Sequence, residues 1–266
     1  MTRRDVPADA SDAHSDLRGT LTRQFVTASD TVTLHNWSVE LLRPRNSDDL
    51  ISEADFVRDD RLPYWADLWP SSRVLADYLL QTERVPDRSR AHAQPAGPHD
   101  QLQPAAAQSR TRRGPMAPSL LELGCGLGLV TMAAMRAGYD VLATDYYEDA
   151  LRFTRANAAR ALGREPMTRH VDWRDFPADL GGFDRIVAAD VLYEKTYPPL
   201  LSAAIARTLA PGGEAIIADP GRVAAPDFLA GLAADGLEVV SKVTHPFDEG
   251  EIHQQITLYR IKAIPA

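Results

Sequence analysis

The sequence predicts an α/β fold: a doubly wound, mostly parallel seven-stranded sheet with a terminal antiparallel hairpin and a small N-terminal β cap. Three observations predict it. From Ser119 onward, short apolar runs alternate with helical repeats, the pattern of strands joined by crossover helices. A glycine-rich turn, Gly124-Cys125-Gly126-Leu127-Gly128, separates the first of these runs from the first helix. The last two strand-like runs, Leu237 to Thr244 and Ile252 to Ile261, have only a polar turn between them, which forces a hairpin.

Taken in order, residues 1–19 are polar and offer almost nothing to bury, so a disordered tail is expected. Residues 20–62 form the expected cap. Gln24 to Thr27 and Thr31 to Leu34 read as short strands around a turn at Ala28-Ser29-Asp30, and Trp37 to Leu42 as a third. Residues 63–82 hold an aromatic segment, Tyr64-Trp65-Ala66-Asp67-Leu68-Trp69-Pro70, and then a helix with Val74, Leu75, Tyr78 and Leu79 at helical spacing. Residues 83–118 are rich in Pro, Gln, Ala, Ser and Arg and read as a disordered insert.

Residues 119–264 carry the main domain. Strands are expected at Leu120 to Leu123, Tyr139 to Thr144, Thr168 to Val171, Phe183 to Ala189 and Glu214 to Ala218, followed by the hairpin. Helices are expected through Val130 to Met135, Glu148 to Ala161, Tyr197 to Leu209 and Pro226 to Ala234. Pro211-Gly212-Gly213 stops the third of these.

The chain's 266 residues suffice for a sizeable core. Hydrophobic residues at 44% and charged residues at 25% exclude collagen-like, coiled-coil and wholly disordered chains. No apolar run approaches the roughly 20 residues of a membrane span, and Met1 to Asp5 lead into no secretory core; a cytoplasmic location is expected. A net charge of −8 argues against a general nucleic-acid binder. The single cysteine, Cys125, excludes an internal disulfide and reads as inert packing. The histidines show no metal-binding spacing, so no metal site is expected.

Four motifs carry chemistry. In the first, Gly124, Gly126 and Gly128 let the backbone turn tightly beside a ligand. Their spacing differs from the dinucleotide fingerprint, whose third glycine position holds Leu129. Glu122, an acid just before the loop, suits a cationic ligand such as S-adenosylmethionine better than a pyrophosphate. In the second, Asp145 follows the second strand about 20 residues on, where a carboxylate can accept both ribose hydroxyls; a helix N-cap is the plainer reading. In the third, Asp172 can take an adenine amino group and Trp173 can pack on the ring, unless Trp173 is ordinary core. In the fourth, Asp190-Val191-Leu192-Tyr193 ends the fourth strand, at the sheet edge where ligands bind. Asp190 can hold an amine nucleophile, and Tyr193 can line its passage; otherwise the pair is a cap and a core residue.

Together these residues resemble the class I, seven-β-strand S-adenosylmethionine-dependent methyltransferases. Tyr64 to Pro70, Glu122 to Gly128 and Asp190-Val191-Leu192-Tyr193 narrow the resemblance to the D-x-x-Y protein-lysine methyltransferase group, which includes the electron-transfer-flavoprotein β-subunit lysine methyltransferase. The resemblance covers about residues 60–82 and 119–262. It implies a Rossmann-like sheet of strand order 3-2-1-4-5-7-6 and S-adenosyl-L-methionine as cofactor. It implies cofactor binding by Trp69, Glu122, Gly124, Gly126, Gly128, Asp145, Asp172 and Trp173, with Asp190 and Tyr193 as catalytic residues. The expected reaction moves a methyl group to an amine nitrogen, that of a protein lysine. A small-molecule amine of nicotinamide type, a non-catalytic cofactor-binding protein and an NAD-dependent oxidoreductase are the alternatives. The oxidoreductase is disfavoured by Leu129 and by the lack of a Tyr-x-x-x-Lys pair.

Overall fold

The computed structural model describes residues 10–50, 62–83 and 117–265. Most of the expected insert and the end of the expected cap lie outside the described residues. Helix α1 spans Ala10–Gln24, strand β1 Thr27–Leu34 and strand β2 Trp37–Pro44. Two expectations are corrected here. The second half of the expected tail is helical, because Leu17, Leu21 and Phe25 repeat every four residues and pack into the core as one stripe. The expected turn at Ala28-Ser29-Asp30 lies inside a single strand, where Asp30 accepts a 2.5 Å bond from Arg43 Nε across the hairpin. The chain turns instead between Leu34 and Trp37, with His35 at φ 29°.

The main sheet is built from β3 (Ser119–Leu123), β4 (Asp140–Asp145), β5 (Met167–His170), β6 (Phe183–Ala189), β7 (Leu209–Asp219), β8 (Leu237–Glu249) and β9 (Ile252–Ala263). Its order is β5-β4-β3-β6-β7-β9-β8, the order 3-2-1-4-5-7-6 that was expected. β3 to β7 run parallel, and β9 is antiparallel to both β7 and β8. Helices α2 (Pro70–Thr82), α3 (Leu129–Ala137) and α4 (Glu148–Leu162) cover one face; α5 (Tyr197–Thr208) and α6 (Ala225–Gly231) cover the other. Alternate strand residues feed the two layers: Val187 and Ile216 point into one, Ile186 and Ile217 into the other.

At the amino end of the sheet the charges are structural. Arg185 on β6 donates to Glu83 at 2.6 Å and to Glu214 at 2.5 Å, and Arg260 donates to Glu214 at 2.6 Å. The carboxyl end is the one that carries the aromatic segment and the glycine turn.

One buried side chain ties the cap to that turn. Asn157 on α4 is fully buried; its Oδ1 accepts from Leu42 N at 2.8 Å, and its Nδ2 donates to the carbonyls of Leu42 and Leu127 at 3.0 Å. Asn157→Ala leaves three backbone groups unpaired, each costing roughly 1–3 kcal/mol where buried. The expected result is about 3 kcal/mol of lost stability, read as a lower urea midpoint at unchanged slope. A midpoint equal to the parent's would show that the cap holds without this tie.

Candidate active site

A pocket with about 960 Å³ of empty space, part of it open to solvent, lies at the carboxyl ends of β3, β4 and β6. Its place, at the carboxyl ends of parallel strands, is where nucleoside-type cofactors bind in open α/β sheets. The glycine turn forms its floor. Gly126 has φ 50°, and a Cβ there would meet the Trp65 carbonyl oxygen at 3.1 Å. Gly128 has φ 85°, and its Cβ would meet Thr154 at 2.9 Å. The turn is thus pressed between the aromatic segment and α4, and side chains are excluded on both sides.

Two carboxyls stand beside the turn. Glu122 is buried and accepts a hydrogen bond from Thr131 Oγ1. Burial pushes its pKa up to about 8, and the neighbouring Asp145 adds to the rise. Asp145 Oδ2 accepts from Gly126 N at 2.9 Å and Oδ1 from Tyr147 N at 3.0 Å, so it braces the turn against α4. Burial raises its pKa too, against the opposing pull of these N–H groups. Cys125 beside them is buried, and its thiol is pushed up by the same desolvation.

Glu122 gives a stability test. A carboxyl whose folded pKa lies above its unfolded value keeps its contribution below about 4.5 and loses it as pH rises through about 8. Glu122→Gln keeps an acceptor for Thr131 and cannot ionise. The ligand-free variant should melt close to the parent near pH 5 and several degrees higher at pH 8.5. Parallel melting curves across that range would show that Glu122 ionises freely.

The fourth motif lies at the end of β6. Asp190 is a non-glycine residue at φ 60°, a conformation costing roughly 1–2 kcal/mol. It is held there by its N–H to Ala218 O at 2.9 Å and by both carboxylate oxygens. Oδ2 accepts from Ser71 Oγ at 3.1 Å, and Oδ1 from Arg222 Nε at 2.5 Å. The Arg222 guanidinium also lies over the Trp69 ring, 5.0 Å from its centroid. Tyr193 packs edge-on against Tyr64 at 5.0 Å and Tyr197 at 5.3 Å, and burial pushes its phenol up.

The third motif is partly committed within the chain. Asp172 caps a short turn over Trp173–Asp175 and accepts from Arg174 through both oxygens. Trp173 packs edge-on against Tyr197 at 5.4 Å. Trp69 donates from Nε1 to Tyr64 O at 2.9 Å.

Of the residues singled out from sequence, Trp69, Glu122, Gly124, Gly126, Asp145, Asp172, Trp173, Asp190 and Tyr193 line this one pocket. Gly128 does not; it makes room for Thr154. Ser71, Tyr147, Tyr197 and Arg222 were not anticipated as site residues. Arg222 had a readable signal, since it follows the fifth parallel strand at the ligand-binding edge. Ser71 had none, because α2 reaches Asp190 only through tertiary packing.

The chain is similar to known methyltransferases over part of its length. Residues 121–217 match the model of a protein family described as "Methyltransferase domain". The chain is 37% identical over 91 residues to the Protein N-lysine methyltransferase METTL21A of Danio rerio, covering 31% of this chain and 40% of that protein. It is 30% identical over 139 residues to the Protein-lysine methyltransferase METTL21E of Mus musculus, covering 49% and 46%. It is 32% identical over 101 residues to the tRNA U34 carboxymethyltransferase of Pseudomonas fluorescens, covering 37% and 31%. The chain thus spans less than half the length of these relatives. Over these residues it resembles a methyltransferase domain and the lysine-modifying methyltransferases, and the cofactor that this resemblance implies is S-adenosylmethionine. The pocket fits that group. Two desolvated carboxyls, Glu122 and Asp145, stand where a cation would relieve the cost of ionising them, and the pocket wall is aromatic.

Proposed function

We propose that this chain, built on a class I-type methyltransferase domain, transfers methyl groups to an amine nitrogen, with a protein lysine side chain as acceptor. The observation that supports the reading best is that one pocket joins two chemically distinct ends. Glu122, the glycine turn and Asp145 form a cation-favouring end; Asp190, Tyr193, Tyr64 and Trp69 form an acid-and-aromatic end. The lysine-modifying relatives support the choice of acceptor.

When bound, S-adenosylmethionine supplies a methyl group already activated on a sulfonium sulfur. The chain's own task is placement and protonation control. Glu122 holds the ammonium of the amino-acid end, Asp145 accepts the ribose hydroxyls on its remaining lone pairs, and Trp173 packs on the adenine beside Asp172. Trp69 closes the pocket from above. Asp190 and Tyr193 border the acceptor nitrogen and fix its direction, and such alignment can supply roughly 7–11 kcal/mol. The surrounding rings keep water from the reacting atoms.

The experiment is methyl transfer from labelled cofactor into a lysate of the source cells freed of small molecules. Label on a protein band, located on lysine nitrogen by mass spectrometry, is the expected result. Label only in the restored small-molecule fraction would replace the protein acceptor with a free amine. Label in the RNA fraction would overturn the amine reading.

A further inference from the structure

Amine methylation needs a neutral nitrogen, and an isolated carboxylate works against that. A bare Asp190 would stabilise the ammonium form of an acceptor and deepen its protonation. The side chain of Asp190 is 1% exposed, and its charge is met by Arg222, itself 30% exposed. Asp219, at the end of β7, holds that arginine in place. It is fully buried, and its Oδ1 accepts from Gly221 N at 2.7 Å and Arg222 N at 2.8 Å.

We propose that Arg222 sets the protonation state of the acceptor: by cancelling the charge of Asp190, it makes the pocket receive a primary amine in its neutral, nucleophilic form. This rests on the amine-acceptor reading above. The ammonium's proton goes to solvent before the amine is seated. Asp190 then accepts an N–H hydrogen bond from the neutral amine while its charge stays with the guanidinium.

Further charged groups surround the pair. Burial raises the Asp219 carboxyl, and its Oδ1 is taken up by backbone N–H groups rather than by the Arg222 guanidinium. Glu122 and Asp145 face the cofactor end and are raised in the same way. Tyr193, in the segment after β6, is held as the neutral phenol. From α2, Arg73 turns away to Glu249 and Phe247 of the hairpin. Asp67 of the aromatic segment lines the pocket, as does Asp172, which is paired with Arg174.

The test uses n-butylamine as a probe, with S-adenosylhomocysteine present, followed by NMR titration between pH 7 and 10. The parent protein should bind the probe about tenfold more tightly per pH unit, tracking the neutral amine fraction. Arg222→Gln should bind it at least about tenfold more tightly than the parent at pH 7, with a flattened pH slope, because ammonium is now accepted. Arg222→Lys should keep the parental slope. Should Arg222→Gln fail to fold, the double variant Asp190→Asn with Arg222→Gln removes both charges and should again show the parental slope. In the transfer assay, the rise of turnover with pH should move up by about one pH unit in Arg222→Gln. Parental binding of ammonium at pH 7 as tight as in Arg222→Gln, or superimposable pH profiles of the parent and Arg222→Gln, would overturn the role of Arg222 while leaving amine methylation standing. No label on amine nitrogen together with no probe binding at any pH would overturn the amine reading and this inference with it.

Discussion

Replacing Asp190 by alanine is expected to lower methyl transfer by about 100-fold or more, a loss typical of small misplacements in a reacting pair. S-adenosylmethionine affinity should stay within about threefold of the parent's, because Asp190 stands at the acid-and-aromatic end, apart from Glu122 and the glycine turn. The substitution also frees the positive φ at this position from the bonds that hold it. It leaves Arg222 without its partner, so a modest fall in melting temperature should accompany the loss. Binding by calorimetry and transfer of labelled methyl, measured on the same preparation, separate the two effects. A collapse of cofactor affinity would move Asp190 to the cofactor side of the pocket.

The second large effect is expected at the glycine turn. Gly126→Val puts a branched side chain at φ 50° and brings its Cβ to 3.1 Å from the Trp65 carbonyl oxygen. The turn can relieve this only by moving, and Asp145 moves with it, since Gly126 N donates to that carboxylate. Cofactor affinity should fall by at least about 100-fold, or roughly 3 kcal/mol. Circular dichroism should show the helices intact, because the sheet and its two cores do not depend on this residue. Unchanged affinity in a folded variant would remove the turn from the cofactor site.

Much of this was legible along the chain. The strands β3, β4, β6 and β7 contain short apolar runs, and α3 and α4 end at glycines; α5 instead ends at Thr208, and the expected stop at Pro211-Gly212-Gly213 lies inside β7. Where the reading failed, the cause was local. α1 was hidden because Leu17 and Leu21, with Phe25 just after the helix, stand among polar neighbours, and a stripe that thin gains its stability from packing rather than from helix propensity. The turn at Ala28 to Asp30 was misplaced because Asp30 resembles a turn residue in isolation; opposite Arg43 it is a strand residue with a partner. The carboxylates of the site were visible as acids at strand ends, yet nothing in their spacing tells which of them is already paired.

The sequence by itself determined the order of strands and helices, the place of the glycine turn and the line of acids at one edge of a parallel sheet. These follow from periodicity and chain geometry, which act over a few neighbouring residues. Only the tertiary structure decided that Ser71, from a helix 119 positions away, and Arg222, 32 positions on, meet on the carboxylate of Asp190. Charge neutralisation depends on distance through space and on the exclusion of water, and neither is encoded in any local run of residues.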